Sequence, residues 1–340
     1  MKRSALIFGI GGQDGILLTQ LLIEKDYQIV GFGREQSLQR NPHLVSFGDR
    51  VRFHFGDMRD PAAIECAVRE HPTAEIYNFA AQSLPSLSWD AAIATGEVNA
   101  LGAHRLFEAV RRFRPQAKLY QASSSDMFGR VLESPQTETT PFRPINPYGV
   151  SKTYAHHMAG SYRAKYGLFI CCGILFNHES RYRDLRFLSQ KVAYGAACAR
   201  HGITDSPELN ESGEPIVHAG KLSLGNLDVV RDWGYAGDYV QATWLMLQQD
   251  TPDDYVIGTG VRHTVRDMCQ VAYARIGADW RDHVVSDTRL TRPIETGETI
   301  ANARRARETL GWTARTSFET MLGDMIDAHL DHMKKHLVRQ

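Results

Sequence analysis

The stretch Ser4–Tyr27, SALIFGIGGQDGILLTQLLIEKDY, decides the fold. SALIFGI is a compact apolar run of strand length, and ILLTQLLIEKDY carries apolar residues at helical spacing. Between them stand Gly9, Gly12 and Gly15 in the pattern G-x-x-G-x-x-G, with Gln13 and Asp14 inside the turn. A bare glycine triplet is often only a turn. Between a first strand and a first helix it predicts a dinucleotide turn. The glycines let backbone approach a pyrophosphate, and the helix N-terminus offers free amides and a positive dipole end.

Working outward, further strand-like runs follow: QIVGFGRE (Gln28–Glu35), VRFHFGDMRD (Val51–Asp60), AEIYNFAAQS (Ala74–Ser83), KLYQASS from Lys118, and FICCGILFN (Phe169–Asn177). Helical stretches separate them, a long one over Trp89–Phe113. This alternation predicts an α/β fold with a doubly wound parallel sheet, whose ligands gather at the carboxyl ends of its strands. An NAD-preferring enzyme commonly ends its second strand on an acidic residue that takes the ribose 2′-hydroxyl. Here Arg34 stands there, which suits a 2′-phosphate and predicts NADP; the bland alternative is a solvated arginine beside Glu35. Asp57 and Met58 end the third strand, where they would receive the adenine. Ala80, with Gln82 and Ser83 beyond it, ends the fourth, where small side chains let a cofactor lie against backbone.

The chemistry is expected in Lys118–Lys152, KLYQASSSDMFGRVLESPQTETTPFRPINPYGVSK. The strand ends in Ser124 and Asp126, a Pro-rich loop follows, and Tyr148 and Lys152 open a helix four residues apart, on one face. The ammonium would hold down the phenol's pKa and make the phenolate a base, with a strand-end hydroxyl sharing the substrate's hydroxyl. Y-x-x-x-K alone is weak, since it arises by chance on many helices. Its position after a dinucleotide turn gives it weight.

Composition narrows the classes. The 340 residues carry 39 basic and 39 acidic side chains with no concentrated basic run, so no nucleic-acid partner is expected. The five cysteines form no metal-type spacing, and no metal site is expected. No apolar run is long enough for a membrane span, and no signal peptide precedes the first strand, which predicts a soluble cytoplasmic protein. The polar segment His201–Lys221 reads as a loop or flap.

Across nearly its whole length the chain resembles the GDP-mannose 4,6-dehydratase family of extended short-chain dehydrogenases/reductases. The matching blocks are Gly9–Gly15, EIYNFAAQS, YQASSSDMFG, NPYGVSK, ILFNHES (Ile174–Ser180), SLGNLDVVRDWGYAGDYV (Ser223–Val240) and RPIETG (Arg292–Gly297). The resemblance implies a Rossmann-type NADP domain over 1–178, with return segments near 228–260. A smaller substrate-binding domain would comprise 179–227 and 261–335. It implies that Tyr148 is the base at the sugar C4 hydroxyl, that Lys152 lowers its pKa and binds the nicotinamide ribose, and that Ser124 supports O4. Asp126 stands where the family has a Glu. His178 and Arg183 match cofactor contacts; Asn177, Lys191, Arg231, Arg292 and Glu295, with Ser83 and Gly225, match the nucleotide-sugar site. Guanidinium and ammonium groups suit a diphosphate, although an isolated arginine is more often a surface ion pair. The implied reaction is dehydration of GDP-mannose, or a relative such as a GDP-manno-heptose, to a 4-keto-6-deoxy sugar by internal hydride transfer through NADP. The alternative is a GDP-sugar reductase or epimerase. A homodimer or homotetramer is expected.

Overall fold

The computed structural model describes residues 3–210, 213–290 and 297–337, with side chains to 335. The turn of Gly9–Gly15 sits where the sequence predicts, between β1 (Ser4–Phe8) and the helix Gln13–Glu24. The other predicted strands are β2 (Gln28–Gly33), β3 (Val51–Phe55), β4 (Glu75–Asn78), β5 (Lys118–Ser124) and β6 (Ile170–Leu175). With Asp254–Ile257 they form one seven-stranded sheet, in the order Asp254–Ile257, β6, β5, β4, β1, β2, β3. Every pairing in it is parallel. The strand order reverses between β1 and β4, which opens a crevice at their carboxyl ends.

Both faces of the sheet are buried, which is why β5 and β6 read as near-continuous apolar runs rather than alternating ones. One face packs Ile16, Leu18 and Leu22 of the first helix and Tyr239, Val240 and Met246 of the helix Ala236–Leu247. The other packs Ile64, Leu106, Phe107, Ala155 and Tyr162 from the helices Pro61–Glu70, Gly102–Phe113 and Pro147–Tyr166. A separate core gathers Val192, Leu222, Trp233, Met268, Tyr273, Trp280, Met321 and Leu322. Ala303, Ala306, Leu310 and Trp312, late in the chain, pack back onto the first core. The segment His201–Lys221 is not simply a loop. Val217–His218 pairs antiparallel with Lys221–Leu224, and the latter pairs in parallel with Val284–Ser286.

The helix that carries Tyr148 and Lys152 is punctuated at both ends. Asn146 accepts a hydrogen bond from the Gly149 amide at 2.7 Å, Pro147 occupies the first turn, and Gly167 ends the helix at φ 66°. Among the described residues no helix is long and apolar enough to cross a membrane.

Candidate active site

The glycine turn explains itself sterically. Gly9 has φ 80°, and a side chain there would put Cβ 2.6 Å from the Ala80 amide nitrogen. At Gly15 a Cβ would lie 2.5 Å from the Gly9 carbonyl oxygen. Both must be glycine for the turn to pass between β1 and the end of β4. Gly12 is the helix N-cap and offers no side-chain cap, so the first amides of the helix stay available to an anion. Arg34 follows β2 and is exposed. The turn fits the pyrophosphate of a dinucleotide. Asp57 lies at the end of β3, but Arg59 grips both its oxygens at 2.8–2.9 Å and holds its pKa down to about 2. Met58 is buried against Gly102. The Gln82 amide donates to Asn99, and its side chain donates to the Leu84 carbonyl.

A cavity of about 640 Å³ opens at the carboxyl ends of β5 and β6. It brings together Asp14, Ser83, Ser124, Asp126, Tyr148, Lys152, Asn177, His178, Arg183, Lys191, Gly225 and Arg231, which are scattered across more than 200 positions of sequence. Arg292 and Glu295 lie outside the described residues.

On the β5 wall the Ser124 hydroxyl lines the cavity beside the Tyr148 phenol and accepts from the Asp126 amide at 3.2 Å. Lys152 Nζ donates to the Ala122 carbonyl at 2.9 Å and lies 5.8 Å from the centre of the Tyr148 ring. Burial pushes the Lys152 pKa down to about 8, against the pull of Asp14. Burial also pushes the phenol up, Asp126 adds to this, and Ser124 only partly offsets it. The sequence expectation was that the ammonium would hold the phenol down. Among the protein's own groups, desolvation and the Asp126 carboxylate prevail.

The facing wall is built on the segment after β6. Arg183 lies over the Phe187 ring with its guanidinium carbon 3.5 Å from the ring centre, and its Nε is 3.1 Å from Glu179 Oε2, outside hydrogen-bond alignment. Ser189 donates to that same Glu179 oxygen at 2.7 Å. Arg231 donates to the Val230 and Gly297 carbonyls, and Lys191 lines the same wall. Gln13, expected at the cofactor, spans from the glycine turn to the His178 carbonyl at 3.0 Å and accepts from Ser180 at 2.9 Å. Sequence reasoning missed Glu179, Ser189 and Asp90 in this cavity. Glu179 lay inside the quoted block ILFNHES. Ser189 and Asp90 carry no local signal.

Behind the β5 wall, Ser123 Oγ and His156 Nδ1 are 3.0 Å apart. His156 Nε2 is 3.7 Å from Asp254, which Arg163 holds at 2.8 Å. This network backs the end of β5 that carries Ser124 and Asp126.

Comparison with known proteins decides the family. A family model described as GDP-mannose 4,6 dehydratase matches residues 6–325. The chain belongs to the GDP-mannose 4,6-dehydratase family. It is 40% identical to "GDP-mannose 4,6 dehydratase 1" of Arabidopsis thaliana over 99% of this chain and 92% of that one. It is 36% identical to the human GDP-mannose 4,6 dehydratase, covering 98% and 93%. Among solved structures, dTDP-glucose 4,6-dehydratase of Bacillus anthracis in complex with NAD superposes with a TM-score of 0.81 at 22% identity, covering 98% of each chain. RMD from Pseudomonas aeruginosa complexed with NADPH superposes at 0.77 and 18% identity, covering 97% and 100%. These two establish the fold. Membership of the family makes the chain a GDP-sugar 4,6-dehydratase, a hydro-lyase.

Proposed function

We propose that this dehydratase works on GDP-mannose or a close relative such as a GDP-manno-heptose, uses NADP, and carries its chemistry on Ser124, Asp126, Tyr148 and Lys152. The observation that carries this reading is the convergence of a hydroxyl, a carboxylate, a phenol and an ammonium on one wall of a cavity. Arg183, Lys191 and Arg231 stand around the same cavity, where a diphosphate would find them.

When bound, the nicotinamide group supplies the hydride acceptor and donor, and in its oxidised form a positive charge. Gly9, Gly12, Gln13, Asp14 and Gly15 with Arg34 would hold its dinucleotide, alongside Asp57, Met58, Ala80, Gln82 and Ser83 at the neighbouring strand ends. Tyr148 takes the C4 hydroxyl proton, and Ser124 holds both the phenol and O4. Asp126 removes the proton made acidic at C5, and water departs from C6. Asn177, Gly225 and Arg231 complete the nucleotide-sugar side, with His178 and Arg183 toward the cofactor. The domain division is 1–178 with returns near 228–260 for the dinucleotide, and 179–227 with 261–335 for the sugar, with Ala303, Ala306, Leu310 and Trp312 packing back onto the dinucleotide core.

A homodimer or homotetramer is supported by exposed apolar side chains on two neighbouring helices and the turn before them: Ile93 is 84% exposed, Trp89 68% and Val150 54%. Five free cysteines suit a cytoplasmic setting. The deciding experiment is product mass. Incubated with GDP-mannose and no added NADPH, the enzyme is expected to yield a product lighter by one water. An unchanged substrate mass, with a GDP-manno-heptose unchanged as well, would defeat the reading.

A further inference from the structure

We propose that His54, Glu70 and His71 form a binding site for a divalent transition-metal ion of the zinc class, on the open edge of the sheet and apart from the catalytic cavity. His54 belongs to β3, the last strand of the sheet order, and His71 caps the C-terminus of the helix Pro61–Glu70. His54 Nδ1 and His71 Nε2 face each other at 3.1 Å, with the ring planes at 87°. A carboxylate oxygen of Glu70 lies within 4.8 Å of a ring nitrogen of each histidine.

The spacing is that of ligands around one ion. Tetrahedral zinc with Zn–N bonds of about 2.0–2.1 Å sets its ligand nitrogens about 3.3 Å apart. The two imidazoles are already at that separation, and Glu70 is exposed and closes the remainder by rotating its side chain. Two imidazoles and a carboxylate select zinc-like ions over calcium and magnesium, which take oxygen ligands. Phe32 stacks on the His54 ring with centroids 5.9 Å apart and an interplanar angle of 17°, fixing its plane. Cys66 stands one helical turn before Glu70 on the same helix. The negative end of the helix dipole points at the same place. Arg52 and Arg69 are the cations that oppose binding there.

Of the two such clusters among the described residues, the other, His156, Cys172 and Asp254, is buried and already holds the Arg163 guanidinium. His54 and His71 are 17 positions apart in no recognisable spacing, so sequence patterns do not join them. An ion here would tie the end of the helix to the edge strand, immediately upstream of Asp57 and Met58.

The test uses the full chain, stripped with a chelator and titrated with zinc chloride by calorimetry, with the thermal midpoint recorded with and without zinc. The chain has 14 histidines, so the comparison is between variants. Wild type is expected to bind one more zinc per chain than His54→Gln or His71→Gln and to melt higher with zinc. Each substitution should weaken that site at least tenfold and remove the rise, and magnesium should give neither effect. In wild type alone, cobalt is expected to broaden the His54 and His71 imidazole resonances, a readout that needs no variant to fold. No zinc-dependent rise in wild type, no broadening at these two residues, or the same stoichiometry in both Gln variants (an adventitious ion only) would overturn the site.

Discussion

His178 Nε2 lies 3.0 Å from Asp14 Oδ2, joining the segment after β6 to the first helix beyond the glycine turn. The other ring nitrogen, Nδ1, is 2.7 Å from the Phe176 carbonyl oxygen. Neither a carbonyl nor a carboxylate can donate, so both ring nitrogens must, and His178 is an imidazolium. Burial opposes that charge, but the attraction and hydrogen bond of Asp14 prevail, and the His178 pKa is raised. Asp14 is likewise lowered against its own desolvation by His178. The pair holds the two halves of the cavity rim in register and stacks on Tyr239 at 4.9 Å.

Removing one partner strands a buried charge. Asp14→Asn is expected to cost about 3–5 kcal/mol of stability at neutral pH. The pH dependence has two signs. The contribution of Asp14 is present above its ordinary carboxylate value and is lost as pH falls through its lowered value. The contribution of His178 is complete below 6.5 and is lost as pH rises through its raised value. Denaturant unfolding of wild type and variant from pH 5 to 10 should therefore show a gap that narrows on the alkaline side. A gap independent of pH would contradict the imidazolium assignment.

Much of this frame is legible in the sequence because it is local. β1, its turn and first helix, and the runs of β5 and β6, are contiguous apolar segments with glycine punctuation, and Tyr148 and Lys152 sit on one helix face by spacing alone. What is not legible is the pairing of distant side chains. Arg59 grips Asp57, Ser189 supports Glu179, and Asp254 meets His156 from a strand about 100 positions away. The hairpin inside His201–Lys221 was hidden because its paired strand Val217–His218 is only two residues long and carries no period. Ala306 and Leu310 return to the first core from a helix whose sequence does not say which body it covers.

Cofactor choice rests on Arg34. Its exposed guanidinium at the end of β2 should favour a 2′-phosphate, so Arg34→Ala is expected to weaken NADP binding roughly tenfold, about 1.4 kcal/mol, and leave NAD binding unchanged. Calorimetry with both nucleotides checks this. Equal loss for both would remove Arg34 from the specificity role.

Lys152 is a buried ammonium whose pKa falls from 10.5 to about 8. A lysine depressed in this way destabilises the fold while it is charged, and the cost is relieved as pH rises from about 8 towards 10.5. Lys152→Met is thus expected to be inactive yet more stable at pH 7, by on the order of 3 kcal/mol less the hydrogen bond to Ala122. The difference should shrink above pH 8. In wild type, kcat/KM should fall on the alkaline side near pH 8, and Lys152→Arg should lose that limb. A variant less stable than wild type across the whole range would reverse the argument.

Arg231 tests the diphosphate. Arg231→Ala should weaken binding of GDP itself by roughly 1.5–3 kcal/mol if its hydrogen bonds to phosphate are direct. Its backbone anchors to Val230 and Gly297 hold the guanidinium at the cavity, so the loss should appear in KM more than in kcat. Unchanged GDP affinity would return Arg231 to a structural role.

Asp126 carries the most informative test, because its side chain is one methylene shorter than the Glu that the resemblance implies at this position. That retracts the carboxylate by roughly 1.5 Å if the backbone stays in place. The backbone here places Asp126 in the short turn Ser125–Met127, at the cavity wall beside Tyr148 and tied to Ser124. If Asp126 removes the C5 proton, Asp126→Asn should still allow hydride to leave C4, because Tyr148 and Ser124 remain. It should halt loss of water, and reduced cofactor should accumulate on the enzyme as absorbance in a single turnover. Wild type in deuterated water should place deuterium at C5 of the product, and the Asn variant should release no dehydrated product. Asp126→Glu should retain dehydration, since the longer arm presents the same acid–base group. Wild-type enzyme that oxidises C4 of its substrate without exchanging C5 would remove Asp126 from the elimination step.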